Sequence, residues 1–159
     1  MISNAYASTI LKCVCGANSG TAMAFPSEIY LGLCTNEPRA TDGYITGEPS
    51  VEGYERKLVG GSNAPTKYFD LAKTEGGTSV TIEGVIANKT EIQFKTIRAN
   101  AGVMNYFFLS KSKTEPTAIM WGKLTGDITT TGISTNTVPV FFENELQISL
   151  DVPLNQEEA

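Results

Sequence analysis

Apolar positions along this chain recur mainly with period two and in short runs, the pattern of strands rather than of helices. The two most apolar runs are Val103-Met-Asn-Tyr-Phe-Phe-Leu109 and the stretch from Ala118 to Asp127, which holds the single tryptophan, Trp121. Thr114-Glu-Pro-Thr117 separates them as a turn would. The spacing predicts a pair of central strands, with the other strands added around this hairpin.

Ahead of that hairpin, Ser3 to Gly16 is the one stretch with helical spacing: Ser3 or Asn4 can cap it, Tyr6, Ile10, Leu11 and Val14 share a face, and Gly16 can end it. A Gly, Ser and Ala linker over residues 16–24 leads to a first strand over Glu28–Thr35, closed by Asn36-Glu-Pro38. Residues 41–50 are too dense in turn formers for regular structure. Gly53 to Val59 then sets Tyr54, Arg56 and Leu58 against Glu55, Lys57 and Val59, a charged alternation that suits an edge strand. Gly60 to Gly77 reads as an exposed excursion with Tyr68, Phe69 and Leu71 as possible anchors. Val80–Ile82 and Val85–Ala87 read as strand fragments around Gly84, and Glu91–Phe94 as a strand with Ile92 and Phe94 inward.

After the hairpin, the polar run Thr129–Thr137 is predicted to be a long connection. Val138–Phe142 follows as an edge or strand start because of Pro139. Glu145–Val152 places Leu146, Ile148, Leu150 and Val152 on one face and Glu145, Gln147, Ser149 and Asp151 on the other, a half-buried strand. Roughly seven or eight short strands with long loops predict an all-β fold, an antiparallel β-sandwich of jelly-roll-like type with a short N-terminal helix. The expected division is a helix and linker over 1–20, a β-sandwich domain over 21–154 and an acidic tail over 155–159.

Composition narrows the function. The chain has 159 residues, 41% of them hydrophobic, which suffices for one domain with a real core. Twelve Lys and Arg against 17 Asp and Glu give a formal charge of -5, with the cations scattered singly. Neither nucleic acid nor an anionic membrane is an expected partner of such a surface. No apolar run approaches the roughly 18 to 20 residues that span a bilayer, and the N-terminal segment lacks the basic start of a signal peptide. A soluble protein made in a cytoplasm is the expectation.

Candidate chemistry is sparse. With no histidine, a Ser-His or Cys-His dyad is excluded, and with it the ordinary general base near neutral pH. Among the carboxylates, Asp42, Glu48 and Glu52 are the most clustered, and a glycosidase could use two such groups, but no spacing in the sequence positions a pair. Cys13, Cys15 and Cys34 are an odd count with no zinc spacing, so they read as small buried hydrophobes and no metal or other cofactor is expected. The segment Thr35–Tyr44 is rich in oxygen ligands but lacks the regular acidic spacing of a calcium loop. Asn88-Lys-Thr90 matches a glycosylation acceptor only formally. Trp121 and Tyr106 sit at alternating positions in apolar runs and read as core before sugar platform. Tyr44, Tyr54 and Tyr68, on polar loops, are possible stacking groups for a free-standing carbohydrate-binding module. No catalytic, cofactor-binding or metal residue is assigned.

Five segments in this order carry a resemblance: Asn4–Leu11, Ile29–Thr35, Thr46-Gly-Glu-Pro-Ser50, Gly53-Tyr-Glu-Arg56 and Trp121-Gly-Lys-Leu124. Together they resemble a family of small tailed-phage and prophage virion proteins, commonly labelled tail-fibre-like and sometimes treated as head or decoration components. The resemblance spans about residues 4–152. It departs from the family pattern at Glu91–Thr96 and in the longer excursion over Gly60–Gly77. It implies a non-enzymatic structural protein of the virion, in several copies on the tail or head surface. Its expected partners are other virion proteins and further copies of itself, with a host-surface glycan as a further candidate.

Overall fold

The computed structural model describes residues 1–4, 6, 26–73 and 81–149. The described residues contain nine strands and one short 3-10 helix, so the fold is all-β, and the pairings within its four- and three-stranded sheets are antiparallel. The chain divides into two compact units, one of Met1–Lys67 with Gln93–Val140, the other of Tyr68–Ile92 with the residues from Phe141 on.

The larger unit is built on a four-stranded sheet in the order β2-β1-β6-β7, comprising β1 (Ile29–Cys34), β2 (Lys57–Gly60), β6 (Tyr106–Ser110) and β7 (Met120–Lys123). The predicted hairpin is present, with Phe107 opposite Gly122 and Phe108 opposite Trp121. Only β6 is central, however; β7 closes the row of strands, and its outer edge is covered by the first residues of the chain. Ile2 bridges Met120, Trp121 N–H donates to Met1 O at 2.8 Å and Ser3 N–H donates to Ile119 O at 3.1 Å. An edge carrying Trp121 would otherwise present unpaired backbone groups to solvent.

β1 is buried on both faces because apolar residues alternate on each: Leu31 and Leu33 on one, Tyr30 and Cys34 on the other. Across it, Phe108 faces Gly32, and a Cβ added at Gly32 would lie 2.2 Å from the Phe108 ring. The same device recurs on the opposite face, where a Cβ at Gly122 would lie 2.5 Å from Phe107. Glycine in these strands makes room for a neighbouring ring to lie flat over the backbone. Phe108 then joins Cys34, Ile45, Ala118 and Trp121 in a buried cluster, with Tyr106 packed against it.

β2 begins at Lys57, later than the predicted Gly53, because Tyr54 and Arg56 are committed to loop contacts before the ladder starts. It lies at the edge of its sheet, as its charges predict. The polar 129–137 segment is a connection, opened by a 3-10 turn over Asp127–Thr129 and pinned by bridges at Ile133 and Thr137; its one large apolar residue, Ile133, is buried.

The smaller unit holds a three-stranded sheet in the order β3-β4-β9, with β3 (Phe69–Lys73), β4 (Thr81–Asn88) and β9 (Gln147–Ser149). Two expectations are corrected here. The 60–77 excursion contains a real strand, β3, and the fragments around Gly84 are one continuous strand, β4. Pairing with β3 at Thr81 and at Ile86–Asn88, and with β9 at Val85–Ala87, keeps the chain extended on either side of Gly84, which falls where the register with β3 shifts. The last strand keeps only Gln147–Ser149 within the described residues, with Leu146 buried beside it; Leu150–Val152 lie outside them. A further two-stranded sheet consists of β5 (Ile92–Gln93) and β8 (Val140–Phe141), and Ile92 and Phe94 are buried as their alternation predicts.

The expected helix over 3–16, Cys13, Cys15 and the acidic tail lie outside the described residues apart from the helix start. There Tyr6 N–H donates to Ser3 Oγ at 3.3 Å, the geometry of an N-cap.

Within the smaller unit, Asn88 is fully buried and every polar group of its side chain is used. Its amide donates to Thr90 O at 3.0 Å and Phe142 O at 2.7 Å, while Oδ1 accepts from Leu146 N–H at 2.9 Å. The backbone joins in, Asn144 N–H donating to Asn88 O at 2.8 Å. One side chain thus shapes the whole 141–146 turn, and it has no room for a glycan. Asn88→Ala is expected to cost about 2–4 kcal/mol in urea unfolding, since several buried groups lose their partners together. A loss below about 0.5 kcal/mol, the level of an ordinary surface change, would show that the turn holds without it.

Candidate functional site

Two of the resembling segments, Thr46–Ser50 and Gly53–Arg56, meet in space. Arg56 is the point of contact. Its guanidinium is buried, and it grips the Glu48 carboxylate with both forks, Nε to Oε1 at 2.8 Å and Nη2 to Oε2 at 2.6 Å. Nη1 donates to Ser112 O and to Glu115 O, each at 2.8 Å, so the same residue holds the turn between β6 and β7. Beneath it lies the Phe108 ring, with the guanidinium carbon 4.9 Å from the centroid. A planar, permanently charged fork suits these simultaneous demands, and a lysine would not meet them.

Tyr54 completes the junction. Its hydroxyl accepts from Leu33 N–H at 2.9 Å and lies 3.1 Å from Glu48 Oε1, tying the 46–50 loop to β1. Its ring stacks on Phe94, centroids 6.4 Å apart. Burial, with the Glu48 carboxylate close by, pushes the Tyr54 hydroxyl far above the usual tyrosine range. Burial and the same carboxylate push the Cys34 thiol up to about 12, and its Sγ–H donates to Asn36 O at 3.1 Å. Cys34 is a buried core group, as a free cysteine is expected to be.

Over this junction lies a cleft of about 410 Å³ lined by Glu48, Pro49, Ser50, Tyr54, Glu55, Arg56, Lys113 and Thr114. Glu55 stands between two lysines, 2.8 Å from Lys95 Nζ and 3.4 Å from Lys113 Nζ. The hydrogen bond from Lys95, with support from Lys113, holds its carboxyl below the ordinary range.

The carboxylates grouped from sequence do not form a site together. Asp42 pairs with Arg39 at 2.8 Å, Glu48 with Arg56, and Glu52 with Arg98 at 4.0 Å. Backbone N–H of Tyr44 and then Arg39 hold the Asp42 carboxyl low, which suits an ionised surface group. Among the described residues, no cluster of His, Cys, Asp or Glu could hold a metal ion. Of the aromatic candidates, Trp121 is buried and donates from Nε1 to Glu37 Oε1 at 3.3 Å, and Tyr106 packs on the core. Tyr44 is exposed, with the Arg39 guanidinium 5.2 Å from its ring centroid. Tyr68 belongs to the smaller unit and is half-buried.

Sequence reasoning does not single out Arg56, Ser50, Lys113 or Thr114 as site residues. Arg56 is legible there only as an edge-strand charge. The one available signal is that it and Glu48 both fall in the segments that carry the resemblance.

The described residues thus form antiparallel sheets whose loops are tied together by ion pairs and hydrogen bonds. The family described as podophage GP4 fiber I protein gp80 matches residues 1–149, and the chain belongs to that family. It is therefore a structural phage protein of fiber type and a virion component. No curated protein sequence matches it.

Two outcomes follow from the junction. Arg56→Met leaves the Glu48 carboxylate and two carbonyls without their donor, and is expected to cost about 2–4 kcal/mol, discounted because Glu48 is partly exposed. Adding Glu48→Gln should then cost less than the sum of the singles by about 1 kcal/mol or more, and strict additivity would show that the two side chains are not coupled.

The second outcome concerns alkali. Cys34 and Tyr54 hold their protons more tightly folded than unfolded, so their contribution is fully present below the unfolded pKa and is lost as pH rises. For Cys34 the window runs from 9.0 to about 12. Stability should fall there by about 1.4 kcal/mol per pH unit for each such group. Cys34→Ala should flatten the fall in urea midpoint, whereas an unchanged slope would remove Cys34 as its source.

Proposed function

We propose that this protein is a non-enzymatic component of the phage tail, a fibre or fibre-attachment subunit present in several copies and contacting other tail proteins and further copies of itself. The match to a fiber protein family over residues 1–149 carries this reading. Three features support it. The loops of the larger unit are locked by buried hydrogen bonds, which suits a part that must keep its shape in a particle. The three carboxylates that might have served hydrolysis are each engaged by a separate arginine. Exposed apolar side chains, Ile86 and Phe142 in the smaller unit and Tyr44 in the larger, are available for contacts with neighbours. Homo-oligomerisation follows from the symmetry of phage tails rather than from any one residue.

Immunogold labelling of purified particles with an antibody to this chain tests the reading. Gold at the tail is the expected result. Gold distributed over the head would replace the tail role by a decoration role, and protein found only free in the lysate would overturn both.

A further inference from the structure

The two compact units differ in charge. The smaller carries nine Asp and Glu against two Lys, a formal charge of -7, whereas the larger carries eight Asp and Glu against ten Lys and Arg, or +2. Each also presents an aromatic side chain to solvent. On the smaller unit Phe142 is 59% exposed, and Glu143 and Glu145 beside it in the chain are exposed as well. On the larger unit Tyr44 is 45% exposed, with the Arg39 guanidinium over its ring. We infer that these two surfaces meet between copies, the Phe142 face of one chain docking on the Tyr44 and Arg39 face of the next. The inference rests on the proposed role as a subunit present in several copies and names the contact between them.

The Phe142 face extends beyond one ring. Ile86 is exposed and stands opposite half-buried Ile148 where β4 pairs with β9. Cross-strand neighbours share a face, as do residues two apart in a strand, so Ile86, Ile148 and Asn88 point the same way. The Asn88 amide holds the Phe142 carbonyl, which brings Phe142 to the end of this row. Phe142 N–H donates to Glu145 Oε2 at 2.7 Å and so fixes that carboxylate beside it. An exposed apolar row that ends in an aromatic ring and fixed charge has the make-up of a docking surface, where a few aromatic anchors carry most of the energy.

Charge selects the occupant. Two smaller units placed face to face would set -7 against -7 and bring carboxylates together, and like charges across an interface oppose it. The larger unit is the surface of opposite sign on the same chain. Its Arg39 is exposed and engages exposed Asp42 through Nε and Nη2, an exposed ion pair of the weak kind. A guanidinium has five N–H donors, so Arg39 can meet a second carboxylate without giving up the first. Phe142 then lies against Tyr44 and Glu143 against Arg39, aromatic on aromatic and carboxylate on guanidinium. Because the two surfaces are unlike, the contact is heterologous: each copy holds one neighbour by each face, and the series closes into a ring or runs on.

Sedimentation velocity on the purified full chain tests this, from about 10 to about 500 µM. Association that grows with concentration is expected, and it should weaken by about tenfold or more between about 0.03 M and about 0.5 M salt, as charges across the contact are screened. Phe142→Ser and Tyr44→Ser each remove one side of the contact at an exposed position. Each variant alone should be monomeric, while the two mixed should form a one-to-one dimer that grows no further. Urea midpoints check folding, and Glu143→Lys or Arg39→Ala replaces whichever variant fails that check. A wild-type chain that stays monomeric throughout overturns the inference, as does a folded variant that associates alone as wild type does. Association lost in Phe142→Ser but kept in Tyr44→Ser alone would show like-with-like pairing and overturn it too. Gold at the tail with a monomeric chain in solution would sink this contact and leave the tail role standing, and association without gold on particles would do the reverse.

Discussion

The larger unit depends on one buried guanidinium. Arg56 brings together the loop before β2, the Glu48 loop and the turn between β6 and β7, and it does so over the ring of Phe108 at the centre of the core. Desolvating a guanidinium is costly, and only a close carboxylate and further acceptors offset the cost. Both are present: a bidentate carboxylate and two carbonyls, with the carboxylate itself steadied by Tyr54. Each partner has a meaningful position only because the others are in place, so the loops order as a set.

Much of the sheet structure is legible in the sequence because it rests on local alternation. The hairpin of β6 and β7, strand β1 and the inward Ile92 and Phe94 all follow from the period of their side chains and the turn residues between them. What is not legible depends on partners distant in sequence. β4 stays extended past Gly84 because β3 pairs with it at Thr81 and at Ile86–Asn88 and β9 at Val85–Ala87, and β3 emerges from a Gly-rich stretch by the same pairing. The edge position of β7 depends on Met1 to Ser3, more than a hundred residues away, returning to pair with it.

The site shows the same division more sharply. A charged residue in a short alternating stretch reads as solvent-facing, since buried Arg is rare without a partner. Arg56 has partners at Glu48, Ser112 and Glu115, and nothing in the spacing of the last two announces them. The grouping of Asp42, Glu48 and Glu52 fails for a related reason. Proximity in sequence on a turn-rich loop says little about direction, and each of the three turns to a different arginine.

A buried ion pair is weak evidence of stability, because apolar residues of similar volume often serve as well or better. Its value here is geometric. An apolar contact between the 48–50 loop and the 112–115 turn would tolerate sliding, whereas a planar fork that must meet a carboxylate on one side and two carbonyls on another admits one arrangement. The same turns form the two walls of the cleft. Fixing their separation fixes the spacing between the Ser50 and Thr114 hydroxyls and the charged floor. The interaction that organises the fold of this unit is therefore also the one that shapes this cleft.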